Sequence, residues 1–257
     1  MLNWKDVSEF DFKVITLFEE VQLKWLLIWH DHEKLGVLLN KYPDISWHMK
    51  FKAPTLRDEI NKIEKKYKNT PYTKELEKEF CSNLVDWIVY ATDPNAYDQQ
   101  AFNKWDKKEL LSLIDFKDKI VVDVGSGTGS QLFKVIPYTK TLYAVEPVGN
   151  LRRYLKEKIK NMGYTNTFVV DGIMTELPFP NEFCDVTISG HVFGDFLENE
   201  FKEMYRIIKR GGMIILIPGN NDEDNDTHKF LIEKGFDFSI FLEPGDGMKR
   251  KYWLIKK

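Results

Sequence analysis

Ile120-Val-Val-Asp-Val-Gly-Ser-Gly-Thr-Gly129 is the stretch on which the fold turns. Ile120 to Val124 is a short apolar run rich in β-branched residues, and it reads as a buried strand. Gly125, Gly127 and Gly129 follow at alternate positions. Glycine there permits a tight turn and lets backbone approach a ligand closely. Asp123 is expected to organise this turn through its carboxylate. A helix is expected to begin near Ser130, leaving its first amides free for an anionic group. A glycine-rich turn on its own is common, and its neighbours give it meaning.

Downstream, strands and helices alternate. Leu142 to Glu146 reads as a second strand, followed by a helix from Leu151 to Asn161 that stops at Gly163. Asn166 to Asp171 and Cys184 to Ser189 read as third and fourth strands. A helix from Asp195 to Lys209 is expected to end at Gly211-Gly212, before a fifth strand from Met213 to Ile217. Alternation of this kind argues a parallel sheet with helices on both faces. Asp237 to Leu242 and Lys251 to Ile255 are joined by too few residues for a crossover helix, so they must pair antiparallel. The expectation is an α/β, doubly wound, seven-stranded and mostly parallel sheet with a C-terminal antiparallel hairpin.

Such sheets bind ligands at the carboxyl ends of their strands. Glu146 ends the second strand 21 residues beyond Gly125, where its carboxylate can accept from both hydroxyls of a ribose. Asp171 ends the third strand at the equivalent depth, before Gly172, and suits an adenine amino group. The competing dinucleotide-dehydrogenase fingerprint wants a further glycine at position 130, where this chain has Ser130. Tyr154/Lys158 and Tyr205/Lys209 match a Tyr-x-x-x-Lys spacing, but both fall on amphipathic helices and read as surface pairs.

Upstream the grammar is helical. Apolar residues recur at helical spacing from Phe10 to Asn40. Pro43 and Pro54 are read as bracketing an irregular stretch. Thr55 is read as the N-cap of a helix from Leu56 to Tyr67. Further helices are expected from Thr73 to Tyr90, ending before Asp93-Pro94, and from Ala96 to Ile114. The domain reading is a helical region over residues 1–92 and a ligand-binding core over 93–257.

Hydrophobic residues make up 43% of the chain and charged residues 30%, with a net charge of -3. That balance suits a globular protein and gives no bulk electrostatic reason to expect a nucleic acid as partner. Cys81 and Cys184 are isolated, so neither a metal site nor a disulfide framework is expected, and a cytoplasmic setting is the default. Met1 to Phe10 carries acids where a signal peptide would be basic, and Val21 to His30 is too short to span a bilayer. His30, His32, His48 and His228 have no partners at metal-ligand spacing. Asp222 to Asp226 reads as a solvated loop capping the next helix. Oligomeric state is not legible.

Val121 to Gly129 resembles the glycine motif of class I S-adenosylmethionine methyltransferases. Asp171-Gly-Ile-Met-Thr-Glu-Leu-Pro-Phe-Pro-Asn-Glu-Phe-Cys-Asp185 is similar to the matching stretch of the branch that includes ubiquinone/menaquinone-biosynthesis methyltransferases. Glu203 to Gly212 resembles that branch's Arg-Val-Leu-Lys-Pro-Gly-Gly, with Arg210 in place of the proline. The resemblance covers about residues 95–257. It implies S-adenosylmethionine as cofactor and S-adenosylhomocysteine as product. It implies that Asp123, Gly125, Ser126, Gly127 and Gly129 hold the methionine end, Glu146 the ribose, and Asp171, Gly172 and Ile173 the adenine, with Pro147 also binding the cofactor. Ser189 would lie near the methionine moiety, and Tyr97 would cover the cofactor.

Displacement at a sulfonium needs alignment and exclusion of water more than acid assistance. A base is required only where the acceptor must lose a proton. His191, two residues beyond Ser189, is the candidate. No Asn/Asp-Pro-Pro-Tyr tetrapeptide follows the fourth strand, which argues against amino-methylating nucleic-acid and glutamine enzymes. The reading is methyl transfer to a small or medium-sized acceptor. A cofactor-binding module without catalysis, and a protein or RNA acceptor, stay open. Trp4, Trp25, Trp29, Trp47, Trp87 and Trp105 are read as lying in the helical region, which is expected to cap the sheet's carboxyl edge and select the acceptor.

Overall fold

The computed structural model describes residues 10–219 and 221–257. Trp4 and the residues before Phe10 lie outside the described residues. The chain divides into two compact units, one running through Tyr97 and the other from Asp98 to the end.

The first unit is helical: α1 (Glu20–Trp29), α2 (His32–Lys41), α3 (Pro43–Lys52), α4 (Arg57–Lys66), α5 (Lys74–Ser82) and α6 (Val85–Thr92), with α7 (Pro94–Asp98) at the boundary. The expected long segment from Phe10 to Asn40 is broken twice. A capping box between Glu19 and Gln22 starts α1, and Asp31 caps α2 by accepting from Glu33 and Lys34 N–H. The stretch after Pro43 is not irregular. Pro43 occupies the first turn of α3, where a missing N–H costs nothing and the fixed φ is already helical. Thr55 does not cap α4, which follows a single 3-10 turn over Pro54–Leu56. Thr73 does cap α5, accepting from Leu76 N–H. The expected helix to Tyr90 is two helices, α5 and α6, and α6 ends at Thr92 before Asp93-Pro94.

Leu23, Leu26, Leu38, Ile60, Phe80 and Ile88 are fully buried together in this unit. Each such side chain contributes about 1.5–3 kcal/mol by leaving water. Glu77 is buried among them and accepts from Phe12 N–H, Tyr42 and Tyr72 hydroxyls and Lys74 Nζ. Burial pushes its carboxyl pKa up, but these donors outweigh that and hold it at about 2.

The second unit is the α/β sheet: α8 (Lys108–Leu111), β1 (Ile120–Val124), α9 (Leu132–Val135), β2 (Thr141–Val145), α10 (Gly149–Asn161), β3 (Thr167–Val170), β4 (Cys184–Gly190), α11 (Leu197–Ile207), β5 (Ile208–Ile217), α12 (Asp226–Glu233), β6 (Asp237–Glu243) and β7 (Gly247–Ile255). Strand order is β3-β2-β1-β4-β5-β7-β6, with β1 to β5 parallel and β7 antiparallel to both neighbours. This is the expected fold class. Apolar clusters cover both faces, and Trp105 belongs to one of them, against Phe241, so it is not part of the helical region. The expected helix from Ala96 to Ile114 is three short pieces, α7, a 3-10 turn over Ala101–Lys104, and α8.

Two local departures bear on the site. The helix after the glycine turn begins at Leu132 instead of near Ser130, and gives way to a 3-10 turn containing Pro137. Gly211-Gly212 does not stop α11, which ends at Ile207. Both glycines lie in the bulged start of β5, where Cys184 pairs with Ile208 and Val186 with Met213. A Cβ at Gly212 would stand 2.7 Å from the Asp185 carbonyl. Among the described residues no helix is long and apolar enough to cross a membrane.

Candidate functional site

β1 pairs with β2 on one side and β4 on the other, so the strand order reverses at β1. The turn leaving β1 has φ of 70° at Gly125, 52° at Gly127 and 95° at Gly129. Side chains are disfavoured at such angles. At Gly125 a Cβ would also meet Val192 Cγ2 at 2.5 Å. Gly125 and Ser126 N–H both donate to the Val145 carbonyl, at 2.9 and 3.0 Å, which ties the turn to the end of β2. Ser126 Oγ donates to the Asp123 carbonyl.

Glu146 is 4% exposed. Its Oε2 accepts from Gly127 N–H and its Oε1 from Val148 N–H, each at 2.8 Å. Each oxygen retains a second lone pair, so hydroxyl donors of a ligand can still be taken. Burial raises the Glu146 pKa to about 7 against the pull of those two amides and Arg152. Asp123 behaves otherwise. It is fully buried, and neither carboxylate oxygen has a hydrogen-bond partner among the described residues. Burial raises its pKa to about 7, opposed by Ser126 and the Lys134 charge. The glycine turn is therefore held by Glu146 and the Val145 carbonyl, and the Asp123 side chain does not hydrogen-bond it.

Arg152 extends the site. Its Nη1 donates to the carbonyls of Glu146 and Pro147 and to Asp171 Oδ1 at 2.9 Å. Asp171 is exposed, and Ile173 is partly exposed. Gly172 backs onto Val145 and Pro178, and a Cβ there would meet Pro178 Cδ at 2.8 Å. Ser189, paired with Val124, is fully buried, and among the described residues neither its Oγ nor Thr128 Oγ1 has a partner. The second unit thus brings Asp123, Gly125, Ser126, Gly127, Gly129, Glu146, Pro147, Asp171, Gly172, Ile173 and Ser189 to the carboxyl ends of β1 to β4. Tyr97 belongs to the helical unit, edge-on to Tyr90 at 5.1 Å between ring centroids.

His191 follows β4 with φ of 62°, its N–H donating to the Ile217 carbonyl. Its Nε2 lies 2.8 Å from Oε1 of Glu243, a fully buried residue at the end of β6. Sequence reasoning missed Glu243, because nothing in a hairpin strand signals a partner 52 residues away. It also missed Arg152. Tyr154 and Lys158 are not a surface pair: both donate to Asp98, and Lys158 Nζ also reaches the Thr128 carbonyl of the glycine turn. Tyr205 is half-buried against Phe201, and Lys209 pairs with Asp185. The acidic loop is solvated and caps the next helix, as expected, with residues 221–226 all exposed. Asn225 caps α12, while Asp222 and Asp224 bind Arg250. Burial pushes the thiols of Cys81 and Cys184 up to about 12, which leaves both unreactive.

Residues 122–216 match the family described as "Methyltransferase domain". The chain is 26% identical over 145 residues to an uncharacterized methyltransferase of Anoxybacillus flavithermus, covering 54% of this chain and 66% of that protein. A demethylmenaquinone methyltransferase of the same organism is 27% identical over 121 residues, covering 44% and 50%. The crystal structure of a SAM-dependent methyltransferase from Aquifex aeolicus superposes with a TM-score of 0.50 at 18% identity, over 63% of this chain and 96% of that one. The likeness to that structure is one of fold. Residues 122–216 are thus similar to a methyltransferase domain, and their glycine turn followed by Glu146 is similar to the cofactor turn of class I S-adenosylmethionine-dependent methyltransferases.

Proposed function

We propose that this protein transfers the methyl group of S-adenosylmethionine to a small or medium-sized acceptor by direct displacement. The observation that carries the reading is the buried Glu146 carboxylate, joined to Gly127 N–H inside a turn of three positive-φ glycines. The residues present fit the cofactor. Asp123, Ser189 and Thr128 offer buried polar atoms with no partner among the described residues, beside the turn we assign to the methionine end. A buried unpartnered carboxylate costs several kcal/mol unless a donor reaches it, so a ligand ammonium is a fitting complement.

On this reading Gly125, Ser126, Gly127 and Gly129 contact the methionine end, Glu146 and Pro147 the ribose, and Asp171, Gly172 and Ile173 the adenine. Ser189 lies by the methionine moiety. When bound, the cofactor supplies an electrophilic methyl on a sulfonium that departs without acid catalysis. The protein's task is to hold the acceptor in line and keep water out. We assign acceptor selection to the helical residues 1–92 and a cofactor-covering role to Tyr97. The even charge favours a small molecule over nucleic acid as acceptor, and two buried free cysteines suit a reducing cytoplasm. Calorimetry with S-adenosylhomocysteine and with NAD tests the reading. Binding of the first, with NAD much weaker, is expected, and a preference for NAD overturns it.

A further inference from the structure

We propose that His191 and Glu243 act as a proton-accepting pair, so that the acceptor is a weakly acidic O–H or N–H compound methylated at the atom that loses its proton. This rests on the methyl-transfer reading above and narrows its substrate class.

Glu243 is fully buried, and the only hydrogen-bonding partner of its carboxylate among the described residues is His191, Oε2 having none. A neutral glutamine would tether β6 to the loop after β4 equally well, without the cost of burying a carboxylate. What the carboxylate adds is chemical. It holds the proton on Nε2, leaves the lone pair on Nδ1, and offsets the positive charge that appears when Nδ1 is protonated. Lys134, whose own pKa burial lowers to about 8, interacts electrostatically with Glu243.

The surroundings keep Nδ1 usable. Gly219 lies against it, and a Cβ there, at φ of 78°, would come within 2.6 Å of Nδ1. Phe102 stands 6.0 Å away, tilted, and the imidazole is 31% exposed. His191 itself occupies left-handed backbone, a strained conformation for a non-glycine residue that concentrates at working sites. The next residue, Val192, covers Gly125, so the pair adjoins the turn proposed to hold the methionine end.

The step balances as follows. The acceptor's X–H bond breaks and its proton goes to His191 Nδ1. The electron pair left on X forms the bond to the methyl carbon, and the carbon–sulfur bonding pair passes to sulfur, giving a neutral thioether. The imidazolium, paired with Glu243, returns its proton to solvent at its exposed edge. Glu243 is a positioning residue in this scheme, and His191 is the group that meets the acceptor.

Two measurements on the full chain test this. Imidazole ¹⁵N NMR, with and without S-adenosylhomocysteine, should show His191 with Nε2 protonated and Nδ1 bare, and Glu243→Ala should convert it to a tautomer mixture. Turnover of a series of phenols of graded acidity should then show a wild-type to His191→Asn rate ratio of about 10²–10⁴ for the least acidic phenol. The ratio should fall toward one for a phenol already ionised at the assay pH, and Glu243→Gln, which keeps a hydrogen bond, should follow the same trend less steeply. A ratio independent of acidity, a protonated Nδ1 in the wild type, or no turnover of any phenol overturns the proposal. Failure of S-adenosylhomocysteine to bind the wild type is a separate result, and overturns the cofactor reading itself.

Discussion

Asp123 and Glu146 flank one turn, yet the protein treats them differently, and substitution should expose the difference. Glu146 holds Gly127 N–H and, on the proposed reading, the ribose. Glu146→Ala should weaken S-adenosylhomocysteine binding by about 1.5–3 kcal/mol, the range for hydrogen bonds to a charged group. Calorimetry reads this directly, and unchanged affinity would remove Glu146 from the site. The Asp123 carboxylate is buried without a hydrogen-bond partner among the described residues, its folded pKa raised to about 7. A carboxyl whose folded pKa exceeds its unfolded value of about 4 binds more protons folded than unfolded between those two values. It therefore destabilises the ligand-free fold increasingly as pH rises from about 4 to 7, and fully above. Asp123→Asn should raise stability at pH 8 by about 1–3 kcal/mol and change it little at pH 4. Denaturant titration of the ligand-free protein at both pH values checks the sign, and equal effects at the two would show that the buried charge is not the cause.

What could be read ahead of the coordinates was mostly periodicity. β1, β2 and β5 are apolar runs whose identity survives a shift of a residue or two at either end, and the antiparallel hairpin follows from a linker too short for anything else. Glu146 was legible because strand-end position is a local property. The helix after the turn was misjudged because Pro137 limits it to one turn, and α3 was misjudged because a proline at a first helical position reads like a breaker. Glu243 was beyond reach, since its meaning depends on β6 ending beside the loop after β4. The turn itself carries a further expectation. Gly125 combines positive φ with Val192 packed where a Cβ would go. Gly125→Ala must strain the backbone and displace Val192, and so should cost about 1–3 kcal/mol of stability. It should also abolish measurable S-adenosylhomocysteine binding, whereas Gly163→Ala, with open space at its Cβ, should incur only the backbone cost and keep binding. If the Gly125 variant binds normally, the turn does not approach the ligand.

The two units have separate cores. Among the described residues, the cluster built on Phe12, Leu26, Leu38 and Phe80 draws no member from beyond residue 91, and the two sheet clusters draw none from before Trp105. Hydrophobic burial drives folding in proportion to the area each unit covers for itself. A 160-residue sheet unit lies well within the size at which one domain buries enough surface to stand alone. Every proposed cofactor contact except Tyr97 also lies within that unit. Residues 98–257 expressed alone should therefore fold cooperatively and bind S-adenosylhomocysteine within about tenfold of the full chain, the loss corresponding to about 1.4 kcal/mol for Tyr97 and its helix. Turnover should fall much further, because the residues assigned to acceptor selection are gone. Circular dichroism melts, calorimetry and turnover of the phenol series separate the two effects. Should the shortened chain bind and turn over like the whole, acceptor choice resides in the sheet unit, and the helical residues serve some other purpose. Should it fold yet lose the cofactor entirely, the helical unit supplies more of the cofactor site than Tyr97 alone.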